Sequence, residues 1–388
     1  MLPRCKVLIV SWLKWPTSAR LALAMSEAGA EVEVLCPPAH PLLSLKGLGR
    51  RHAYGLRGGA RSLARAVKRG APDFVIPCDD VALAHVRALD EKCFTASCDP
   101  LLLSRAGLIA LAQAEGVRAP RTALTLDEAA IANWFEAESG PAFLKLDGAF
   151  GGAGVVKVNR ADEALEAFRQ LSGRPTWASI AKEAVRHWTF SGALRRLGLS
   201  DPKVSIQAAI EGRPANCCFA AWRGEVLAMS AVEALQTAPH YGVATLVQPI
   251  ESPQMRHAAE RIAARLSLTG FFGLDFILDR VGEAWLIELN ARPTPISHLN
   301  LGPGRDPVSA LVGQIAGCPA PVRPALPPGV AIGLFPHILE PDFPSEGVFQ
   351  DHPVGQPGLA KAFAAYARAP KRAAWPALEL PLPSAQPV

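Results

Sequence analysis

Residues Gly270 to Pro293 read GFFGLDFILDRVGEAWLIELNARP. Two apolar runs, Gly273 to Leu278 and Ala284 to Leu289, flank a polar, glycine-containing stretch, and this pattern predicts two strands joined by a turn. Asp275 then lies near the end of one strand and Glu288 near the end of the other. Period-two alternation puts Glu288, Asn290 and Arg292 on one face, at i, i+2 and i+4. Two carboxylates and an amide oxygen are hard donors of the kind Mg²⁺ takes and shares with phosphates. Arg292 adds a rigid fork for a phosphoryl group. The polar outer face of an ordinary hairpin would show the same residue types, but here three polar residues alternate directly after Trp285-Leu286-Ile287. Asp279 and Glu283 read as solvated turn residues.

Upstream, Phe143 to Val155 read FLKLDGAFGGAGV. A lysine at a strand end, Lys145, precedes a loop containing Gly148, Gly151, Gly152 and Gly154. Glycines let backbone N–H groups approach phosphate oxygens, and the lysine supplies a point charge. A glycine-rich hairpin turn is the competing reading. No Gly-Lys-Ser/Thr closes the loop, so it is not a Walker loop.

Around these segments, the first hundred residues alternate strands (Lys6 to Val10, Glu31 to Leu35, Asp73 to Pro77) with helices (Ser18 to Ala28, Arg61 to Arg69). Short apolar strands with helical crossovers predict a Rossmann-like parallel sheet. The first strand-to-helix loop, Ser11 to Thr17, lacks G-x-G-x-x-G, which disfavours a dinucleotide and an NAD-dependent oxidoreductase. Helices are expected over Leu101 to Glu115, Asp127 to Glu138 and Pro253 to Leu266. Strands are expected near Thr122 and over Ala142 to Leu146, Val155 to Val158, Val204 to Ala208, Asn216 to Trp222 and Val226 to Ala231. The middle of the chain therefore reads as α+β. Beyond Cys318 the chain is proline-dense, with one strand candidate (Val330 to Phe335) and one helix (Leu359 to Ala367), and reads as a tail packed on the body.

The ordered combination of Lys145 and its glycines with D-x-I-x-D…G-E…I-E-L-N-A-R-P resembles the ATP-grasp superfamily, in particular its biotin carboxylase and carbamoyl phosphate synthetase branches. Two further segments fall into register with that family. Ser104-Arg105, a helix ending at Glu115-Gly116, and Pro120-Arg121-Thr122 are similar to its phosphate-binding segment, with arginine replacing the usual lysine. Val204 to Gly212 (VSIQAAIEG) resembles the hinge that lines the adenine pocket, with Ala208 where a glutamate is common. The resemblance spans roughly residues 101 to 310. It implies an α/β plus α+β fold: a Rossmann-like pre-ATP-grasp domain over 1–100, then an ATP-grasp domain over 101–312, with lobes about 101–202 and 203–312. A proline-rich segment over 313–388 follows.

What the resemblance implies for function is an ADP-forming carboxylate–amine ligase acting through an acyl phosphate on an amino acid or small carboxylic acid. ATP would lie on Arg105, Lys145, Gly151, Gly152 and Gly154. Gln207, Ala208 and Ile210 would meet adenine, the last two through backbone groups. Mg²⁺, or Mn²⁺ in its place, would lie on Asp275, Glu288 and Asn290, with Lys145 and Arg292 as the catalytic side chains. A non-catalytic ATP-binding protein, a kinase and a carboxylase of the same fold remain alternatives. The carboxylase would need a separate biotin carrier, since no Ala-Met-Lys-Met is present. For the acceptor, Asp80 in Pro77-Cys78-Asp79-Asp80 offers a partner for an amino group, with an N-cap as its other reading. His240, Tyr241 and Gly242, and also His298 and Asn300, are further candidates. The Arg/Trp-rich run from Lys182 to Arg196 reads as a lobe surface or a lid.

Composition sets the outer bounds. The 388 residues are 49% hydrophobic and 19% charged, and the net charge of +5 is spread along the chain, a globular pattern without a nucleic-acid footprint. No apolar run approaches the ~18 residues of a membrane span, and the short apolar start fits a strand better than a signal peptide. The eight cysteines show no metal-ligand spacing and read as reduced thiols of a cytoplasmic protein. The expected partners are small-molecule carboxylate and amine substrates, with neither nucleic acid nor membrane, and the resemblance allows a homodimer.

Overall fold

A computed structural model of the chain describes residues 5–55, 59–89, 104–125, 127–138, 140–147, 154–178, 180, 196, 203–238 and 242–364. Its first elements are β1 (Lys6–Val10), α1 (Pro16–Glu27), β2 (Glu31–Cys36), β3 (Arg51–Ala53), α2 (Gly59–Gly70), β4 (Phe74–Pro77) and α3 (Asp80–Arg87). All strand pairs in this unit are parallel, in the order β3-β2-β1-β4. The apolar runs Val7 to Val10 of β1 and Phe74 to Ile76 of β4 are buried on both faces, as a helix-covered parallel sheet requires.

Next come α4 (Arg105–Ala114), β5 (Thr122–Thr125), α5 (Glu128–Ala137), β6 (Ala142–Leu146), β7 (Val155–Val158), α6 (Ala161–Ser172) and β8 (Val204–Ala208). Strands β5, β8, β6 and β7 form an antiparallel sheet in that order. Ser104 starts α4 by accepting the Gly107 N–H at 3.1 Å, which fixes where Arg105 leaves the helix. Strand β8 lies between β5 and β6, so backbone pairing carries Val204 to Ala208 into this smaller sheet.

The remaining elements are β9 (Gly212–Trp222), β10 (Glu225–Thr237), β11 (Ala244–Ile250), α7 (Pro253–Arg265), β12 (Gly270–Asp279), β13 (Ala284–Asn290), α8 (Pro307–Ala316), β14 (Ala331–Gly333), β15 (Val348–Gln350) and α9 (Pro357–Ala362). Seven strands form one sheet in the order β13-β12-β9-β10-β11-β14-β15. The C-terminal segment is thus more than a packed tail, since β14 pairs with β11 and β15 with β14. Leu359 and Phe363 also join the core that includes Leu21, Met25 and Phe74.

The decisive hairpin forms as the alternation predicts, with one correction. Asp275 is opposite Glu288, but Phe276 is opposite Leu286, so Ile287 is an extra residue in β13. This β-bulge resets the phase: Leu286 and Leu289 are both buried, and Glu288 and Asn290 share the other face. Without it, strict alternation would have placed Glu288 on the face of Leu286. The glycine loop's Gly151 and Gly152, His240 and Tyr241, the strand and helix residues outside the ranges above, and the run from Lys182 apart from Arg196 lie outside the described residues.

Candidate functional site

The site is built on three neighbouring strands. Register puts Asn216 of β9, Asp275 of β12 and Glu288 of β13 side by side. Asn216 donates to Asp275 Oδ1 at 2.5 Å, and Asn290 donates to Asp275 Oδ2 at 2.8 Å. Gly273 lets the chain after β13 cross closely, since a Cβ there would meet Thr294 Cγ2 at 2.1 Å. Thr294 in turn donates to Asn216 Oδ1 at 3.3 Å. Asn216 escaped the sequence reading, although a lone amide inside the apolar run Ala215 to Ala221 was a usable signal.

Two carboxylates, Asp275 and Glu288, face each other here. Burial first, and then the charge of Glu288, push the Asp275 carboxyl up to about 6. Arg105 supplies a counter-charge by placing Nη2 2.9 Å from Glu288 Oε1, while its Nη1 donates to the Leu146 carbonyl at 2.7 Å. Arg105 also lies 3.6 Å from Asp147, whose two buried oxygens have no hydrogen-bond donor among the described residues. The set fits a divalent cation: two hard carboxylates repel one another at a half-buried position, and the Asn290 amide stands beside them. No group of three or more His, Cys, Asp or Glu side chains suited to a metal occurs among the described residues, so such an ion would rest on Asp275, Glu288 and the Asn290 amide oxygen.

Lys145 sits next to this centre but not on its carboxylates. Its Nζ donates to Gln207 Oε1 at 2.6 Å, and both side chains are buried. Burial lowers the Lys145 pKa to about 8; the charge of Arg105 lowers it further, and those of Glu288 and Asp275 oppose the fall. Gln207 also donates to Thr122 Oγ1 at 3.0 Å. The Gln207 amide is thus held between Lys145 and Thr122 within the small sheet. The Ala208 N–H donates to the Arg121 carbonyl at 2.9 Å. Ile210 follows the end of β8 and is half-buried. Gly154 has φ +79° and donates no side chain to the loop mouth, which suits a turn closing onto Leu146 N–H.

Arg292 points to the other side, toward the parallel sheet. Its Nε donates to Asp80 Oδ1 at 3.1 Å, and its guanidinium lies 4.7 Å from the Trp15 ring centre. Asp79, not Asp80, caps α3 by accepting the Ala82 N–H at 2.9 Å. Asp79 also accepts from Trp12 N–H, Leu13 N–H and the Ser11 hydroxyl. Neither His298 nor Asn300 faces an acceptor site: His298 Nε2 bonds Asp351 at 3.0 Å, and Asn300 donates to the Arg323 carbonyl at 2.7 Å. Asp279 is a turn clamp, accepting from Val281 and Glu283 N–H and from Trp285 Nε1. A cavity of about 660 Å³ lies elsewhere, between Arg118, Gln254 and Glu283, and includes none of the site residues.

No family model matches the sequence, and no curated protein matches it. Solved structures do. N5-carboxyaminoimidazole synthetase from Staphylococcus aureus, complexed with ADP, is similar with a TM-score of 0.58 at 13% identity, over 84% of this chain and 80% of that one. The biotin carboxylase–β,γ-ATP complex from Campylobacter jejuni gives 0.59 at 14% identity, over 85% and 74%. L-amino acid ligase from Bacillus licheniformis gives 0.55 at 14% identity, over 80% and 74%. The chain has the ATP-grasp fold.

Proposed function

We propose that the protein is an ADP-forming carboxylate–amine ligase that works through an acyl phosphate. The observation that carries this reading is the half-buried, mutually repelling pair Asp275 and Glu288, with Asn290 on Asp275 and Arg105 on Glu288. Such a centre is costly unless a cation joins it, and it concentrates the charges that phosphoryl transfer to an anionic acceptor needs. The structural neighbours bound to ADP or to β,γ-ATP support a nucleotide in the same place.

In this reading Arg105 and Lys145 hold the ATP phosphates. Asp275, Glu288 and Asn290 would hold Mg²⁺ or Mn²⁺, which would supply charge neutralisation on the transferred phosphoryl group. Arg292 stabilises the acceptor carboxylate as it takes the γ-phosphate. A carboxylate oxygen forms the bond to phosphorus as the bond to ADP breaks. The amine then forms the C–N bond, phosphate leaves and the amine proton departs with it. The full complement of metal donors favours turnover over a purely regulatory role, and formation of a C–N bond separates the ligase from a kinase.

The test is product analysis by mass spectrometry after incubation with MgATP and pooled small carboxylic acids and amines. Acid-dependent ADP, absent with Glu288→Gln, is expected. AMP as product would remove the acyl-phosphate mechanism.

A further inference from the structure

We infer that Asp80, Trp15 and Arg292 form a subsite for a zwitterionic α-amino acid, which is the acid activated by this protein. The inference rests on the proposed role of Arg292 beside the reacting carboxylate. It starts from Asp79, which is fully buried and accepts four hydrogen bonds: Ser11 Oγ at 3.1 Å, Trp12 N at 2.6 Å, Leu13 N at 3.0 Å and Ala82 N at 2.9 Å. These bonds clasp the loop after β1 to the first turn of α3 at the C-terminal edge of the parallel sheet, where α/β folds present ligands. The clasp fixes the backbone on which Trp15 and Asp80 stand.

Both residues then meet Arg292 from the other sheet. The indole covers one face of the guanidinium at 4.7 Å, and Asp80 takes its Nε at 3.1 Å. Among the described residues, the two Nη groups of Arg292 have no acceptor. The Asp80 side chain is 47% exposed, whereas that of Arg292 is 12% exposed. The pair therefore presents a cationic fork directly beside an open carboxylate. A plain carboxylate docking on the fork would bring a second negative charge up against Asp80. An α-amino acid has its carboxylate and ammonium separated by one carbon, so it matches both charges: carboxylate on the Nη edge, ammonium on Asp80.

The ion pair has a chemical consequence. An ammonium held on Asp80 keeps its proton, so its nitrogen has no lone pair with which to attack an acyl phosphate. The attacking amine must come from a second molecule, which forms the C–N bond and releases phosphate from the activated acid. Asp80 thus selects the acyl donor and stops it from reacting as the nucleophile.

The experiment measures ADP release from MgATP with two acyl-donor pools at equal concentration. One is the common L-α-amino acids, and the other is their 2-hydroxy-acid counterparts. Both receive the same L-amino-acid amides as nucleophile, which carry no α-carboxylate. Release at least ~10-fold faster with the amino acids is expected. Asp80→Asn should lower kcat/KM for the amino acid at least ~10-fold, mainly through KM, with KM for MgATP unchanged and partial rescue by Asp80→Glu. Equal turnover of the 2-hydroxy acids, or an unaltered Asp80→Asn variant, would overturn the subsite while leaving the ligase reading in place. No ADP from either pool would remove both.

Discussion

Two aspartates, Asp79 fully buried just after β4 and Asp275 half-buried within β12, have opposite surroundings. Asp79, at the edge of the parallel sheet, gathers four donors and faces no acidic partner. Asp275, in the seven-stranded sheet, has two amide donors and faces Glu288 across the strand pair. Burial raises the pKa of both. At Asp79 the hydrogen bonds oppose that rise, with no like charge beside it. At Asp275 the neighbouring carboxylate adds to it. A saturated buried carboxylate is a structural clasp; an undersaturated pair is a place for a ligand.

The largest expected effect breaks the pair. Glu288→Gln should lower kcat by ~10³-fold or more, because it removes charge that acts on the transferred phosphoryl group. Its thermal midpoint should stay nearly equal in the metal-free protein, since the like-charge contact with Asp275 and the ion pair with Arg105 are lost together. A clear fall in that midpoint would show that the pair is structural after all. The reciprocal change, Asp79→Ala, leaves three backbone N–H groups without their acceptor. It should destabilise the protein by about 2–4 kcal/mol in denaturant titration. A loss under about 0.5 kcal/mol would show that water replaces the clasp freely.

A smaller effect is expected at the phosphate side. Lys145→Ala should weaken MgATP binding about 10- to 100-fold by calorimetry. In the free protein Lys145 is protonated below about 8, and its charge is lost as pH rises through that value. MgATP affinity should therefore fall between pH 7 and 9, and the fall should flatten in Lys145→Arg, which stays charged. An unchanged slope in that variant would move the titration to another group. The smallest effect concerns the base. Ala208 offers no carboxylate to an adenine amine, so ATP should be preferred over GTP by less than ~100-fold in kcat/KM.

The same contrast marks what the sequence made legible. The hairpin and its four polar residues were readable because alternation after Trp285-Leu286-Ile287 is strong. The bulge at Ile287 was not, because it depends on pairing with Phe276, which no local pattern encodes. The Lys145–Gln207 contact was hidden for a similar reason. Lys145 is opposite Ser205 and Gln207 is opposite Phe143, so the two side chains meet as diagonal neighbours across β6 and β8. Strand β11 carries Pro249 and β15 has three residues, and neither gives a clear period-two signal. Asp79 and Asp80 are adjacent, and only the fold shows which one turns inward as the cap and which one reaches Arg292.

The most direct test of the undersaturated pair is Mn²⁺ titration followed by electron paramagnetic resonance, with ADP present, on the wild-type protein and on Glu288→Gln. The account predicts bound Mn²⁺ in the wild type and its loss, by ~10-fold or more in affinity, in the variant. Equal Mn²⁺ binding by the two proteins would contradict it.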